Sequence, residues 1–452
     1  MAMLEGTSDP RFGVLKTAVA RARKLGSGQI ARASMVSMAI TVAGLALGFA
    51  QAVLTARLLG ASNYGMVAVP MAIVQILSLL TLSGYGGLAI REVPARLAAG
   101  DRGGVTALLR HAFVVVLGLS VAAAALIAIV ASSTTLVPAA YRPSLEIGGL
   151  LVIPIAVSGL LSSSARGFGR TVQAQAPGDL ARPTAMLFLL GSAAVLGLGL
   201  GPVDYMWLSL GAALIWLFSA AVWFWRSEHS NLRAPPRSGR GAGYFVAALS
   251  FLGIDLTLMF QAQINTLLLG WLASPQQTGL FQPIVRLAPV FMLPVHAASI
   301  RFAPRIAELW ESGDLARIRS VTRAFTWTTS LLTFSIAVTT AAVGPWLMPV
   351  FGAEFRQTAP LLWYIAAAQI FNAGCGPVGM LLTMSGRSGA TLGGHVAGFA
   401  VNALFGALLI PKYGALGAVM AMSLGIAVWN IAILVMVRSR YKFNPSLIGF
   451  LR

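Results

Sequence analysis

The stretch ASMVSMAITVAGLALGFAQAVLTA, residues 33–56, runs for 24 positions without a charged side chain. A helix of about 20 apolar residues crosses the ~30 Å hydrocarbon core of a bilayer. A basic tail precedes the stretch and Arg57 follows it, so charged residues bound the apolar segment at both ends. The stretch therefore predicts a transmembrane helix that begins the folded part of the chain.

The composition of the whole chain agrees with this interpretation. Of 452 residues, 57% are hydrophobic and only 10% are charged, whereas soluble domains carry about 25% charged residues. The chain has a single cysteine, and its four histidines have no metal-ligand spacing, which argues against a disulfide framework and a metal centre. We expect an all-α polytopic membrane protein that is not an enzyme, uses no cofactor and binds no nucleic acid.

Apolar runs of sufficient length recur along the chain and predict twelve transmembrane helices. They cover residues 33–56, 64–90, 107–131, 145–165, 183–201, 205–225, 243–271, 279–300, 322–344, 359–384, 390–410 and 414–437.

The cationic residues between these helices are unevenly distributed. Of the 32, 27 lie in the tails and in the loops that follow even-numbered helices, among them Arg166, Arg170 and Arg182. Four lie on the opposite side, including Arg57, and Arg286 lies inside a helix. Because cytoplasmic loops carry the excess of lysine and arginine, both termini are predicted to be cytoplasmic.

The two halves of the sequence resemble each other. REVPARLAAGD, from Arg91, matches RFAPRIAELWESGD, from Arg301, and SLGAAL in helix six matches SLGIAV in helix twelve. Two six-helix lobes with the same orientation are related by a pseudo-twofold axis along the membrane normal. The predicted units are a basic tail at 1–32, an N-lobe at 33–225, a cytoplasmic linker at 226–242, a C-lobe at 243–437 and a cytoplasmic tail at 438–452.

Asp255 and Arg286 are ionisable residues within predicted helices, where a charge must face a partner or a cavity. Counted from the cytoplasmic ends of helices seven and eight, both lie near mid-bilayer, so an ion pair between them is geometrically plausible. One interpretation is a structural pair. The other is an aqueous cavity in which Arg286 binds an anion and Asp255 tunes that site or competes for it through a proton or sodium ion.

Three embedded amides are further candidates for contact with a polar substrate. Gln263 lies on the same side of helix seven as Asp255, and Gln369 and Asn372 share a face at i, i+3. Bonds between helices are the alternative role of such amides. Arg57 also has two interpretations, because it either extends to the outer interface or lines the outward mouth and holds a phosphate.

Four segments together resemble a known family: LTARLLGASNYGMVAV, GYGGLAIREVPARLAAGD, FGAEFRQTAPLLWYIAAAQ and MSGRSGATLGGHVAGFAVNALFGALLIPKYGALGAVMAMSLG. The chain resembles the polysaccharide transporters, or oligosaccharide flippases, of the multidrug/oligosaccharidyl-lipid/polysaccharide exporter superfamily. This group includes O-antigen and exopolysaccharide flippases. The resemblance covers nearly the whole chain.

The resemblance implies a flippase of the bacterial inner membrane that moves a polyprenyl-diphosphate-linked oligosaccharide across that membrane by alternating access. Membrane lipids, a polysaccharide polymerase and chain-length proteins are the implied partners. Arg286 and then Arg57 are the implied cationic cavity residues, with Arg110 and Arg91 guiding the diphosphate at the cytoplasmic entrance. An ion-coupled multidrug or small-solute antiporter of the same superfamily is the alternative function. A non-transporting scaffold for polysaccharide enzymes is a third, for which cavity charges would be dispensable.

Overall fold

The computed structural model describes residues 10–133, 137–228, 234–235 and 241–451, and within these ranges the chain is helical with no β-strand. The first half contains α1 (Pro10–Leu82), α2 (Tyr85–Ala98), α3 (Arg102–Ser132), α4 (Arg142–Gly167), α5 (Thr171–Ala176), α6 (Arg182–Val195) and α7 (Pro202–Glu228). The second half contains α8 (Gly241–Leu272), α9 (Pro275–Glu311), α10 (Leu315–Leu347), α11 (Leu361–Gly374), α12 (Val378–Met384), α13 (Ser388–Tyr413), α14 (Ala415–Tyr441) and α15 (Leu447–Leu451). The all-helical membrane fold is confirmed.

Breaks within the helices affect the number of spans that can be counted. Among the described residues, eight helices are long and apolar enough to cross a membrane, or ten if each of two bent pairs forms one span. One of the eight, Met35–Ala98, covers 64 residues and contains a non-helical position at Gly60, with φ 71° and ψ 170°. The predicted fifth span, 183–201, is helical only as far as Val195 in the 14-residue α6, and α5 and a π-helical turn at Pro177–Ala181 directly precede it. The count of twelve stays a prediction.

The sequence repeat corresponds to a repeated turn. Asp101 caps α3 by accepting a hydrogen bond from the Gly104 amide at 3.0 Å, and Asp314 caps α10 through the Arg317 amide at the same distance. The glycine before each aspartate has a left-handed backbone, with φ 72° in one turn and 70° in the other. The two Gly-Asp motifs therefore build the same helix connection in both halves.

The halves meet through α1 and α9. Small side chains of α1, including Ala52 and Ala56, belong to one buried core together with Phe281 and Ile284 of α9 and Phe351 of the second half. Small residues let two helix backbones approach closely without lipid between them. This interface therefore places the middle of α1 directly against the second half of the chain.

The helix α9 is longer than a bilayer requires. Its 37 residues extend about 55 Å at ~1.5 Å per residue, and it contains prolines at positions 283, 289, 294 and 304. The predicted span 279–300 lies within it, so α9 continues ten residues beyond Arg301. Each internal proline removes a backbone hydrogen bond and favours a bend.

Candidate functional site

One end of the interface between the halves is closed by polar contacts around Gly60. The Arg57 Nε donates a hydrogen bond to the Val350 carbonyl at 2.7 Å, and the Ala61 amide donates to the Glu354 carboxylate at 2.6 Å. Both contacts join α1 to the connection between α10 and α11. Arg57, although exposed, thus has a defined partner across the interface.

Backbone packing closes the same end. A Cβ atom on Gly65 would lie 1.7 Å from the Pro275 carbonyl oxygen, and one on Gly279 would lie 1.8 Å from the Ala61 carbonyl oxygen. Any side chain at either position would push the helices apart. Hence the start of α9 and the bend of α1 are in direct backbone contact. We call Arg57, Ala61, Gly65, Gly279 and Glu354 the closing contact.

Arg286 lies further along the same interface and faces the first half of the chain. Its guanidinium is within hydrogen-bonding reach of the Tyr64 hydroxyl and interacts electrostatically with Tyr205 of α7. Tyr64 is buried, with 5% of its surface accessible, whereas the Arg286 side chain is exposed. Because its polar neighbours Tyr64 and Tyr205 belong to the first half, the exposed Arg286 side chain lies in the space between the halves.

Arg182 joins Arg286 in this space. Its guanidinium lies over the Trp216 ring at 5.3 Å and interacts electrostatically with Tyr205 and Arg286. The loop predicted at Arg182 is wrong, because the π-helical turn at Pro177–Ala181 carries the helix past Pro177. Arg182 is therefore the first residue of α6 and lies within a continuous helical segment.

No acidic side chain neutralises these two arginines. Within the described ranges, neither Arg182 nor Arg286 forms an ion pair. Asp179, one turn before Arg182, interacts with Arg166 instead. Gln51 supplies a further polar group, since its Nε2 donates to the Tyr205 hydroxyl at 3.5 Å. We call Gln51, Tyr64, Arg182, Tyr205, Trp216 and Arg286 the cationic cluster.

The chemistry of the cationic cluster favours an anion. Two guanidinium groups in a cavity of reduced dielectric attract negative charge more strongly than they would in water. Their planar donors match the oxygen geometry of phosphate and carboxylate. Among the described residues, no group of three or more His, Cys, Asp or Glu side chains is arranged so that it could hold a metal ion.

The predicted pair of Asp255 and Arg286 does not form. Asp255 is exposed at a 45° bend of α8 and has no ion-pair partner among the described residues. Measured from the α8–α9 connection, Asp255 lies about 26 Å along α8 whereas Arg286 lies about 17 Å along α9. Counting from predicted cytoplasmic ends hid this offset, because α9 extends beyond the predicted end at residue 300.

The amide candidates lie in two other places. Gln263 donates to the Gln75 side-chain oxygen at 3.3 Å and so joins α8 to α1. Gln369 and Asn372 are buried in the second half, where the Asn372 amide donates to the Gln369 oxygen at 3.1 Å. The Asn430 amide donates to the Asn372 oxygen at 3.0 Å. Gln369 and Asn372 are thus bonded to each other, and Asn372 is also bonded to α14, all within the second half.

The two arginines predicted at the entrance are exposed. Arg91 pairs with Glu92 at 2.9 Å and lies 5.4 Å from the centre of the Phe251 ring on α8. Arg110 is exposed on α3 and makes no hydrogen bond or ion pair with the described residues. The structure does not bring either of them to the cationic cluster.

Sequence reasoning missed Arg182, Tyr64 and Tyr205. The two tyrosines gave no signal of their own, because each stands at the predicted start of a transmembrane helix, where a polar residue is expected. Arg182 stood directly before Pro183 and three residues after Asp179, a pattern that usually ends a helix. The prolines at 177 and 183 on both sides of a π-helical turn were the available signal, since such turns occur frequently at functional sites.

The sequence profile of a family described as polysaccharide biosynthesis protein matches residues 53–360. That range contains Arg57, both arginines of the cationic cluster and the whole of the closing contact. No curated protein sequence matches the chain.

Solved structures with similar folds are membrane transporters. An inward-facing multidrug resistance MATE family transporter of the MOP superfamily is 14% identical, with 90% of this chain and 98% of the other covered, at a TM-score of 0.69. The lipid II flippase MurJ in an inward closed conformation is 14% identical, with 89% of this chain and 87% of the other covered, at a TM-score of 0.66. An outward-facing MATE transporter is 13% identical, with 90% of this chain and 95% of the other covered, at a TM-score of 0.57.

Proposed function

This chain belongs to the polysaccharide biosynthesis protein family, and from that membership we propose that it is a flippase for a polyprenyl-diphosphate-linked oligosaccharide. The cargo would cross from the inner to the outer leaflet of the bacterial inner membrane for surface polysaccharide biosynthesis. The observation that carries the proposal is the pair of arginines in the space between the two halves, Arg182 and Arg286, neither of which pairs with an acidic side chain of the described residues.

A diphosphate linked to a polyprenol and a sugar carries about two negative charges at neutral pH. Such a group would meet a large desolvation penalty in hydrocarbon. Two guanidinium groups offer a matching charge and parallel N–H donors. Tyr64, Tyr205 and Gln51 place hydroxyl and amide groups beside them, which suits hydrogen bonding to sugar hydroxyls.

The closing contact gives the proposed direction of opening. In the proposed orientation, with both termini cytoplasmic, the Gly60 end faces the periplasm and the described conformation is closed on that side. Alternating access requires the closing contact to separate while the lobes approach each other on the cytoplasmic side. The N-lobe at 33–225 and the C-lobe at 243–437 would move as units about the linker at 226–242, and the polyprenyl chain would stay in the bilayer.

The amides Gln369 and Asn372 have a structural role in this proposal. Both are buried and bonded within the second half, so contact with the cargo would first require those bonds to break. Arg91 and Arg110 are exposed cations that remain candidates for guiding the diphosphate toward the cavity. Asp255 lies apart from the anion site and does not compete with the cargo for Arg286.

The experiment is complementation of a strain that lacks this protein. Wild type, Arg182→Gln, Arg286→Gln and Arg286→Lys would be expressed at equal membrane abundance, with Arg226→Gln as the control because Arg226 is exposed outside the cluster. We expect the wild type and the control to restore outer-leaflet glycan and the two glutamine variants to lose it. Normal export by both glutamine variants would overturn the assignment of the site.

A second assay distinguishes the alternative antiporter function. Export of a cationic dye from the same strains would be measured alongside glycan export. The flippase proposal expects no dye export above the level of the strain without the protein. Ion-dependent dye export together with absent glycan export would favour the antiporter.

A further inference from the structure

A separate basic cavity lies at the end of the second half, apart from the cationic cluster. Its volume is about 450 Å³, and it is open on one side. It lies between the first turns of α10 and the segment that follows α14. Its lining consists of Arg319, Ser320, Arg323, Lys442, Phe443, Asn444, Gly449 and Phe450.

The cavity is formed because the chain reverses at the end of α14. Lys442 adopts a left-handed backbone, with φ 53°, and this ends the helix. The Thr326 hydroxyl donates to the Pro445 carbonyl at 2.9 Å and so fixes the returning segment against α10. Arg319 adds a longer bond, from Nη2 to the Lys442 carbonyl at 3.4 Å. The short helix α15 is thereby held beside α10.

The charge of the cavity is positive and unbalanced. Three of its lining residues are cations and none is acidic. Within the described part of the chain, Arg323 and the Lys442 ammonium have no hydrogen-bonded or ion-paired partner. The Arg319 guanidinium lies over the Phe443 ring at 5.6 Å, which leaves donors directed to the open side. Such a set of donors suits a phosphate group.

The surface beside the cavity changes from charged to apolar along α10. Arg319, Arg323, Trp327 and Leu331 follow one another at a spacing of four residues and so lie along one side of the helix. Trp327 is 42% exposed and Leu331 is 65% exposed. The order along the helix, from the cations to the tryptophan to the aliphatic residue, matches the order of layers in a bilayer, from the headgroups through the interface to the hydrocarbon. Ile448 of α15 is also exposed, at 67%.

We propose that this cavity binds an anionic phospholipid. Its phosphate lies among Arg319, Arg323 and Lys442, and an acyl chain lies along Trp327 and Leu331. Free phosphate shares the anion chemistry, but the exposed apolar surface next to the cations fits only a ligand with a hydrocarbon chain. Basic pockets at the ends of transmembrane helices are suited to such headgroups. The site is independent of the cargo and of the direction of transport.

The test measures phospholipid retention by the purified full-length protein with native mass spectrometry. Phosphatidylglycerol and phosphatidylcholine would be titrated separately, and inorganic phosphate would be added as a competitor. We expect phosphatidylglycerol to bind in preference to phosphatidylcholine and phosphate to compete poorly. Arg323→Gln should weaken phosphatidylglycerol binding about fivefold, the contribution of one cation near a membrane surface.

A matched pair of triple variants controls for overall charge. Arg319→Gln/Arg323→Gln/Lys442→Gln should abolish the preference, whereas Arg317→Gln/Arg438→Gln/Arg440→Gln removes the same charge outside the cavity and should keep it. Equal loss in both triples, equal binding of the two lipids by wild type, or full competition by phosphate would each overturn the proposal. If the first triple variant fails to fold, phosphatidylglycerol binding by Arg323→Gln tests the proposal, because Arg323 has no bonded partner among the described residues.

Discussion

Arg182 of α6 and Arg286 of α9 interact electrostatically across the interface between the two halves of the chain, although both carry a positive charge. Two like charges repel, so bringing them together costs free energy unless a counter-charge is present. The described residues supply none at this place. An anion held between the two guanidinium groups would therefore lower the free energy of this arrangement.

The first prediction concerns Arg182. We expect Arg182→Gln to lower the rate of lipid-linked oligosaccharide transport in proteoliposomes by about 10- to 100-fold, since a hydrogen bond to a charged group contributes about 1.5–3 kcal/mol. Arg182→Lys should retain more activity because it preserves the charge, though not the paired donors. Equal rates for wild type and Arg182→Gln would exclude a role in cargo binding.

The second prediction concerns the Glu354 carboxylate, which accepts a hydrogen bond from the Ala61 backbone amide. Glu354→Ala should weaken the closing contact and admit reagents from the Gly60 end. The background protein carries Cys375→Ala and Gln51→Cys, so that residue 51 is the labelled position. An impermeant maleimide should label this cysteine several-fold faster when Glu354→Ala is added than in the background protein. Arg356→Ala, an exposed neighbour, is the control. A faster rate in that control as well would mean that the effect is not specific to the contact.

The third prediction uses the backbone contact. Gly65→Ala places a methyl group where the Pro275 carbonyl oxygen would be 1.7 Å away, and overpacking of this kind costs typically about 1–3 kcal/mol. We expect a lower melting temperature and reduced transport. Gly48→Ala, with no heavy atom within 4 Å of its added Cβ, should leave both unchanged. Equal stability of the two variants would show that the closed conformation does not dominate in solution.

The fourth prediction separates scaffold from site. Asn372→Leu removes the donor to the buried Gln369 oxygen and one of the two acceptors of the Asn430 amide, and an unsatisfied buried group costs about 1–3 kcal/mol. We expect a lower melting temperature but unchanged transport per folded molecule. In the double variant Asn372→Leu/Asn430→Leu, the loss should be smaller than the sum of the two single losses. A selective loss of transport at normal stability would instead place Asn372 in the cargo site.

The membrane fold could be predicted from the sequence because it depends on long-range patterns, namely apolar runs and an internal repeat, and the family could be predicted from four segments that resemble it. The capping aspartates Asp101 and Asp314 illustrate this, since the same Gly-Asp motif builds the same turn twice. The site was predicted less well. Arg286 could be found because a charge within an apolar run is conspicuous. Arg182 was hidden by a π-helical turn, and the offset between Asp255 and Arg286 was missed because the extension of α9 beyond residue 300 is not encoded in hydropathy.

The backbone contact between Gly65 and Pro275 also bears on the ion gradients of the cell. A membrane protein that carries a bulky head group needs a wide passage, and a wide passage that closes imperfectly would conduct protons along a file of water molecules. Where the two backbones meet, a Cβ atom would lie 1.7 Å from a carbonyl oxygen, well inside the ~2.7 Å at which a hydrogen-bonded water molecule lies. The closed conformation therefore leaves no file of water molecules, and no path for protons, between these two backbones.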